Sequence, residues 1–214
     1  FLYDLLKRSE SHVVSLSDRI KKEFVARGID STNVSVLPCG IDTDLYTLDE
    51  TDVLYPDRSI VVGKIEPRKR QAFLQHKDLN IDFIGNNTDS SFDELDPHYL
   101  GEQSKQDIMD NLTAYASMVL LSSGEAHPFV CLEGMAAGLG LVLSEQSTAN
   151  LDISQPFITV IPDDKLDDTT YLDQKIKENR KISLTMRNDI RKYCFDNFDW
   201  SSIIKQYKSI IDNI

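Results

Sequence analysis

Short runs of β-branched and other apolar residues alternate with stretches of helical periodicity along most of the chain, and this alternation constrains the fold more than any other feature. Repeated strand, helix, strand predicts an α/β protein with a parallel sheet, because parallel neighbours need a crossover and that crossover is usually a helix. Residues 12–16, 34–37, 59–63, 81–85, 118–121, 141–144 and 157–161 read as strands, with 99–100 a short extended piece. The first helix is capped by Ser17 or Asp18, carries Ile20, Phe24 and Val25 on one face and stops at Gly28. A second begins near Lys69. Ser104 and Asp107 form a capping box for a third, which runs to about Ala114. A short helix beginning near Cys131 follows the loop at 129, and the chain ends in acidic loop and then helix, with Ile203, Ile204, Tyr207, Ile210 and Ile211 near helical spacing. Residues 47–58 read as a polar connector and 86–97 as an acidic surface loop. The expected fold is a Rossmann-like parallel sheet flanked by helices, and such sheets bind ligands at the carboxyl ends of their strands.

Charge narrows the function. The 214 residues carry 23 Lys and Arg against 35 Asp and Glu, a formal net charge of −12. A nucleic-acid partner is therefore not expected, since such binding depends on neutralising phosphates. Cys39, Cys131 and Cys194 are scattered, without a pairing pattern or a zinc-ligand spacing, and read as free thiols. The least polar stretch, 129–143, is interrupted by Glu133 and is too short to span a bilayer. A cytoplasmic setting is expected, peripheral contact with a membrane remaining open.

Two loops leaving strands carry residues suited to chemistry. The first, GKIEPRKRQ at 63–71, places Lys64, Arg68, Lys69 and Arg70 together in an acidic chain. Gly63 permits a close backbone turn, and the helix that follows offers free amides to an anion. Cations at a helix start oppose its dipole, a conflict that a bound phosphate would resolve. A solvated basic turn is the plainer alternative. The second loop, SSGEAHPFVCLEGMAAGLG at 122–140, places Glu125 at the strand exit and Glu133 in what reads as the first turn of the next helix. A carboxylate is a good acceptor for vicinal hydroxyls. Taken alone, Glu133 reads first as a helix-start residue that the dipole favours, ahead of a ligand contact. His127 reads on its own as an exposed loop residue.

The Glu125…Glu133 pair within EAHPFVCLEGMAAG resembles the E-x7-E signature of glycosyltransferase family 4, whose members have the GT-B fold. The basic loop is similar to that family's G-R-L-x-P-x-K-G. SVLPCGIDTDLY resembles its interdomain hinge V-I-P-N-G-V-D-x-x-x-F, and Phe198-Asp199-Trp200 its C-terminal F-S-W. Gly101 fits the strand-end glycine before a Ser-capped helix. The sequence departs from the pattern at Lys64 in place of Arg, Cys39 in place of Asn, Gly140 in place of Pro, and Ala126 and His127 in the sugar loop.

The resemblance implies a metal-independent, retaining transfer from a nucleotide-diphosphate sugar, with GDP-mannose favoured over UDP-sugars although the base pocket has no decisive motif. Lys64, Lys69 and Glu125 are its catalytic candidates. Glu133 would hold ribose hydroxyls, the Phe129 and Val130 amides would meet phosphate, and Gly63, Gly101, Glu102 and His127 would complete the donor site. No cofactor or metal is expected. The implied partners are the donor, a glycan, lipid or protein acceptor, and an N-terminal domain of the same enzyme. Residues 1–45 would then be the tail of that domain with the hinge, 46–197 the donor-binding domain, and 198–214 a helix crossing back. A catalytically silent nucleotide-sugar-binding module and a sugar-nucleotide epimerase of GT-B architecture are the alternatives.

Overall fold

The structure, a computed structural model, describes residues 2–9, 11–48 and 53–213. It contains a five-stranded sheet of β3 (Tyr55–Val62), β4 (Ile81–Ile84), β5 (Tyr115–Leu120), β6 (Gly140–Ser144) and β7 (Ile158–Ile161), in the order β4-β3-β5-β6-β7. Every neighbouring pair is parallel. A second, two-stranded parallel sheet joins β1 (Val13–Ser15) to β2 (Val34–Val36). The expected α/β class is observed.

Strand alternation sorts the core into two layers, because successive side chains point to opposite faces. Ile60, Val62, Met118, Leu120, Leu141 and Leu143 lie in the layer covered by α4 (Lys105–Asn111), α5 (Phe129–Ala136) and α7 (Arg187–Phe198). Val61, Phe83, Val119 and Val142 lie in the other, under α3 (Gln71–Gln75) and α6 (Thr169–Thr185). Close approach of α5 to the sheet depends on Gly134, where a Cβ would come within 3.0 Å of the Met118 sulfur. The remaining helices are α1 (Leu2–Arg8), α2 (Asp18–Ala26) and α8 (Trp200–Asp212). Among the described residues no helix is long and apolar enough to cross a membrane.

Several boundaries differ from the sequence reading. β3 begins at Tyr55 rather than 59, so the connector ends earlier; its residues 49–52 lie outside the described residues. The extra residues are exposed or half-buried and pair irregularly with β5, so they carry no apolar signal. β5 likewise begins at Tyr115, not 118, its first residues being the aromatic, small and polar run Tyr115, Ala116 and Ser117. α4 stops at Asn111, the remainder to Ala114 tightening into a 3₁₀ turn. β1 is shorter than expected at both ends. The segment read as acidic loop before the last helix contains α6 and α7. The buried face of α6 includes Asn179, Arg180 and Ser183 beside Leu172 and Ile176, which blurs its apolar stripe. The 86–97 segment is a loop, anchored by buried Phe92 against Phe83 and Tyr99. The three cysteines are free thiols.

Candidate functional site

The chain leaves β3 for β4 on one side and then crosses to β5 on the other, so the order of the sheet reverses between β3 and β5. Crevices at such a reversal, outside the carboxyl ends of the strands, are where open α/β sheets take ligands. Two adjoining clefts occupy that position and share Val62 and Gly63. One, of about 430 Å³, is lined by Lys64, Gly85, Asn86, Glu102, Gln103 and Ile108 among others. Its neighbour, of about 330 Å³, is lined by Lys69, Glu125, His127, Phe129, Val130 and Glu133 among others. Lys69 and Glu133 thus face one cleft, and both chemistry-bearing loops converge there. Gly101 stands behind the first cleft, its carbonyl accepting from the Gly85 amide at 2.9 Å.

Backbone geometry makes the shared wall. Gly63 and Gly85 have φ of 132° and 149°, a region closed to most side chains. A Cβ on Gly85 would collide with the Gly63 carbonyl, and one on Gly63 would come within 2.9 Å of Lys69 Nζ. Main chain alone therefore lines this part of the slot, with the Lys69 ammonium folded over it.

The basic loop does not enter a helix directly. Pro67–Lys69 is a 3₁₀ turn, Arg70 adopts a left-handed conformation at φ 58°, and α3 starts only at Gln71. The kink sends the loop's cations in different directions. Arg70 donates to the Leu121 carbonyl at 3.1 Å. Arg68 turns to the second loop, donating through Nη1 to the Gly124 carbonyl, to Ser122 Oγ at 3.1 Å and to Glu125 Oε1 at 3.1 Å, while Nη2 meets Glu66 at 2.8 Å. Burial opposes the Arg68 charge, but Glu125 and Glu66 outweigh it and hold its pKa above the ordinary value. Glu125 is thus braced by a cation that the sequence reading left unassigned.

α5 begins at Phe129, two residues earlier than expected, which moves Glu133 out of the first turn and into the second. The dipole explanation for an acidic residue weakens there, since the effect falls off beyond the first turn. The Phe129 amide donates to the His127 carbonyl at 3.0 Å, whereas the Val130 amide has no protein partner among the described residues. Of the two expected amide donors, Val130 is the open one.

His127 is buried rather than exposed. Its Nε2 lies 3.2 Å from the Cys39 carbonyl, and Nδ1 lies 3.0 Å from the Asn150 amide nitrogen. Nε2 therefore carries the proton and donates, while Nδ1 accepts from Asn150. Asn150 also donates to the Leu16 carbonyl at 2.7 Å. His127 thus lines the cleft while tying the 122–128 loop to segment 37–40 and, through Asn150, to the residue after β1. Glu133 has partners the sequence did not announce, Tyr46 and Lys105. Tyr46 stands where the resembled hinge has Phe; Lys105 gave no signal beyond its place in a capped helix.

Among the described residues no group of His, Cys, Asp and Glu is arranged to hold a metal ion. No family model and no curated protein matches the chain. Solved structures do. HepE from Anabaena, in complex with UDP-glucose, superposes with a TM-score of 0.77 at 17% identity, over 99% of this chain and 66% of that one. Sucrose-phosphate synthase from Thermosynechococcus elongatus gives 0.73 at 16%, over 99% and 60%. The lipopolysaccharide outer core galactosyltransferase WaaB in its apo form gives 0.72 at 16%, over 95% and 62%. The chain has the Rossmann-like fold of one half of a GT-B architecture. It spans less than two thirds of the length of these three proteins.

Proposed function

We propose that this chain is the donor-binding half of a retaining glycosyltransferase that uses a nucleotide-diphosphate sugar. The carrying observation is the convergence of Lys64, Lys69, Glu125 and Glu133 on adjoining clefts at the sheet's point of reversal. In this reading the diphosphate lies against the main-chain wall at Gly63, met by both lysines and the Val130 amide. Glu133 accepts from ribose hydroxyls, and Glu125, braced by Arg68, from hydroxyls of the transferred sugar. The base occupies the cleft beside Glu102 and Gln103.

Chemistry follows from where charge develops. As the glycosidic bond breaks, the sugar ring becomes positive and the departing phosphate negative. Lysines and an amide already aimed at that phosphate need no reorganisation, and losing one such contact raises a barrier by about 2.7–4 kcal/mol. Glu125 positions the sugar rather than acting as half of a hydrolase carboxylate pair. An acceptor hydroxyl then attacks from the face the phosphate leaves, its proton passing to the departing phosphate oxygen, without a metal. Residues 1–45 and 198–214 belong in this reading to the junction with an acceptor-side domain, and 46–197 to donor binding. A parallel pair as short as β1–β2 supports this, since parallel sheets ordinarily have more strands and both faces covered.

Calorimetric titration with a panel of UDP- and GDP-sugars is the test. HepE carries UDP-glucose; GDP-mannose is the donor the sequence resemblance favours, so the panel includes both. We expect micromolar to millimolar binding of one series, weakened about tenfold or more by Glu133→Ala and by Lys69→Ala. Unchanged affinity in both variants, or no binding of any member at millimolar concentration, would overturn the assignment.

A further inference from the structure

Glu133 is held from the protein side before any ligand arrives. Its Oε1 accepts from the Tyr46 hydroxyl at 3.1 Å and from the Lys105 ammonium, which also donates to the Tyr46 oxygen at 2.7 Å. Three segments far apart in sequence supply this triangle: the turn after Ile41, the first residue of α4 and the second turn of α5. Tyr46 is buried, and its main-chain carbonyl accepts at 2.6 Å from Arg191 Nη1, which also donates to Ala136 at 2.8 Å. Hydroxyl and backbone are thus both fixed. Burial pushes the Tyr46 phenol up to about 12, so it keeps its proton and remains a donor. Burial opposes the Lys105 charge, but hydrogen bonds to Glu133 and Tyr46 prevail and raise its pKa.

A carboxylate offers about four lone-pair sites, two on each oxygen. Both sites of Oε1 are filled, while Oε2 has no protein partner among the described residues and Glu133 lines the cleft. We propose that Tyr46 and Lys105 are positioning residues that lock Glu133 through Oε1 and so leave Oε2 to recognise a hydroxyl of a vicinal diol, as on a ribonucleoside. This rests on reading the cleft as a nucleotide-sugar site and adds how the nucleoside end is selected. Lys105 has a second effect: it neutralises Glu133, so a polyanionic ligand meets no uncompensated carboxylate. Neither residue is carried by the resembled pattern, which has Phe at the position of Tyr46.

The experiment measures affinity of the protein for UDP and GDP, and for the 2′-deoxy and 3′-deoxy forms of whichever binds. Wild type is expected to lose about tenfold on removal of the recognised hydroxyl. Lys105→Met and Tyr46→Phe should each weaken the ribonucleotide and shrink that discrimination towards unity, while Lys105→Arg restores much of both. Lys105 is mostly exposed and Tyr46→Phe removes one oxygen, so these substitutions spare the core. Undiminished discrimination in both Lys105→Met and Tyr46→Phe overturns the proposal while leaving the site assignment intact. Wild type that binds neither nucleotide overturns the site assignment itself.

Discussion

At the scale of single residues, the site is a set of carboxylates and ring nitrogens each committed to a partner. His127 shows the consequence for pH. Burial holds its imidazole below the ordinary value, with the Cys39 hydrogen bond pulling weakly the other way. A depressed folded-state pKa means the unfolded chain takes up the proton first, so His127 contributes stability that is complete above its ordinary pKa and is lost as pH falls through the depressed one. The urea-midpoint gap between wild type and His127→Gln should therefore narrow on acidification; a gap constant from pH 8 to pH 5 would contradict this. That Lys64, Lys69, Glu125 and Glu133 line adjoining clefts at one end of the sheet was legible in the sequence, because the two loops that carry them leave neighbouring strands, where composition and spacing are local signals. Arg68 with Glu125, 57 positions apart, and Lys105 with Glu133, 28 apart, were not, because pairing across the fold leaves no periodic trace. The burial of His127 was hidden for the same reason: Cys39 and Asn150, which enclose it, arrive from either side of the sequence.

Among the elements, α6 does for the amino ends of the strands what the clefts' loops do for the carboxyl ends. Asn179 donates to the Leu141 and Phe157 carbonyls at 3.0 Å each, and Ser183 accepts from the Gly140 amide at 2.7 Å. Arg180, 5% exposed, donates to Ser59 Oγ at 2.9 Å and to the Leu79 and Asn80 carbonyls at 2.8 and 2.7 Å. Arg180→Leu would strip the Leu79 carbonyl of its donor, while Ser59 Oγ keeps Ser117 and the Asn80 carbonyl keeps the Ser59 amide, so unfolding in urea should show a loss of about 1–3 kcal/mol. Nucleotide affinity of the folded variant should not change, since Arg180 lies at the opposite end of the strands from the clefts. A variant as stable as wild type would show that water reaches the Leu79 carbonyl. The same helix marks the limit of reading elements from pattern. Strands with β-branched, doubly buried cores were found to within a few residues, whereas α6 buries polar side chains for hydrogen bonding and so lacks the apolar stripe by which helices are recognised.

For the molecule as a whole, donor binding and sugar transfer are expected to separate. Trp200, Ile204, Tyr207 and Ile211 are each about half exposed along α8, and Val14 of β1 and Leu16 just after it are also open. Under the proposed function these surfaces await the acceptor-side half. This chain should bind a nucleotide sugar yet transfer little or nothing to any acceptor; robust transfer by these 214 residues would refute that division of labour. The pairing of Arg68 with Glu125 and of Lys105 with Glu133 has a further consequence. The slot's two glutamates carry their own counterions, so an anionic guest is met by Lys64 and Lys69 alone and few phosphate contacts are made. Binding should accordingly change little between about 50 and 200 mM sodium chloride, an interval over which proteins making many phosphate contacts lose orders of magnitude in affinity.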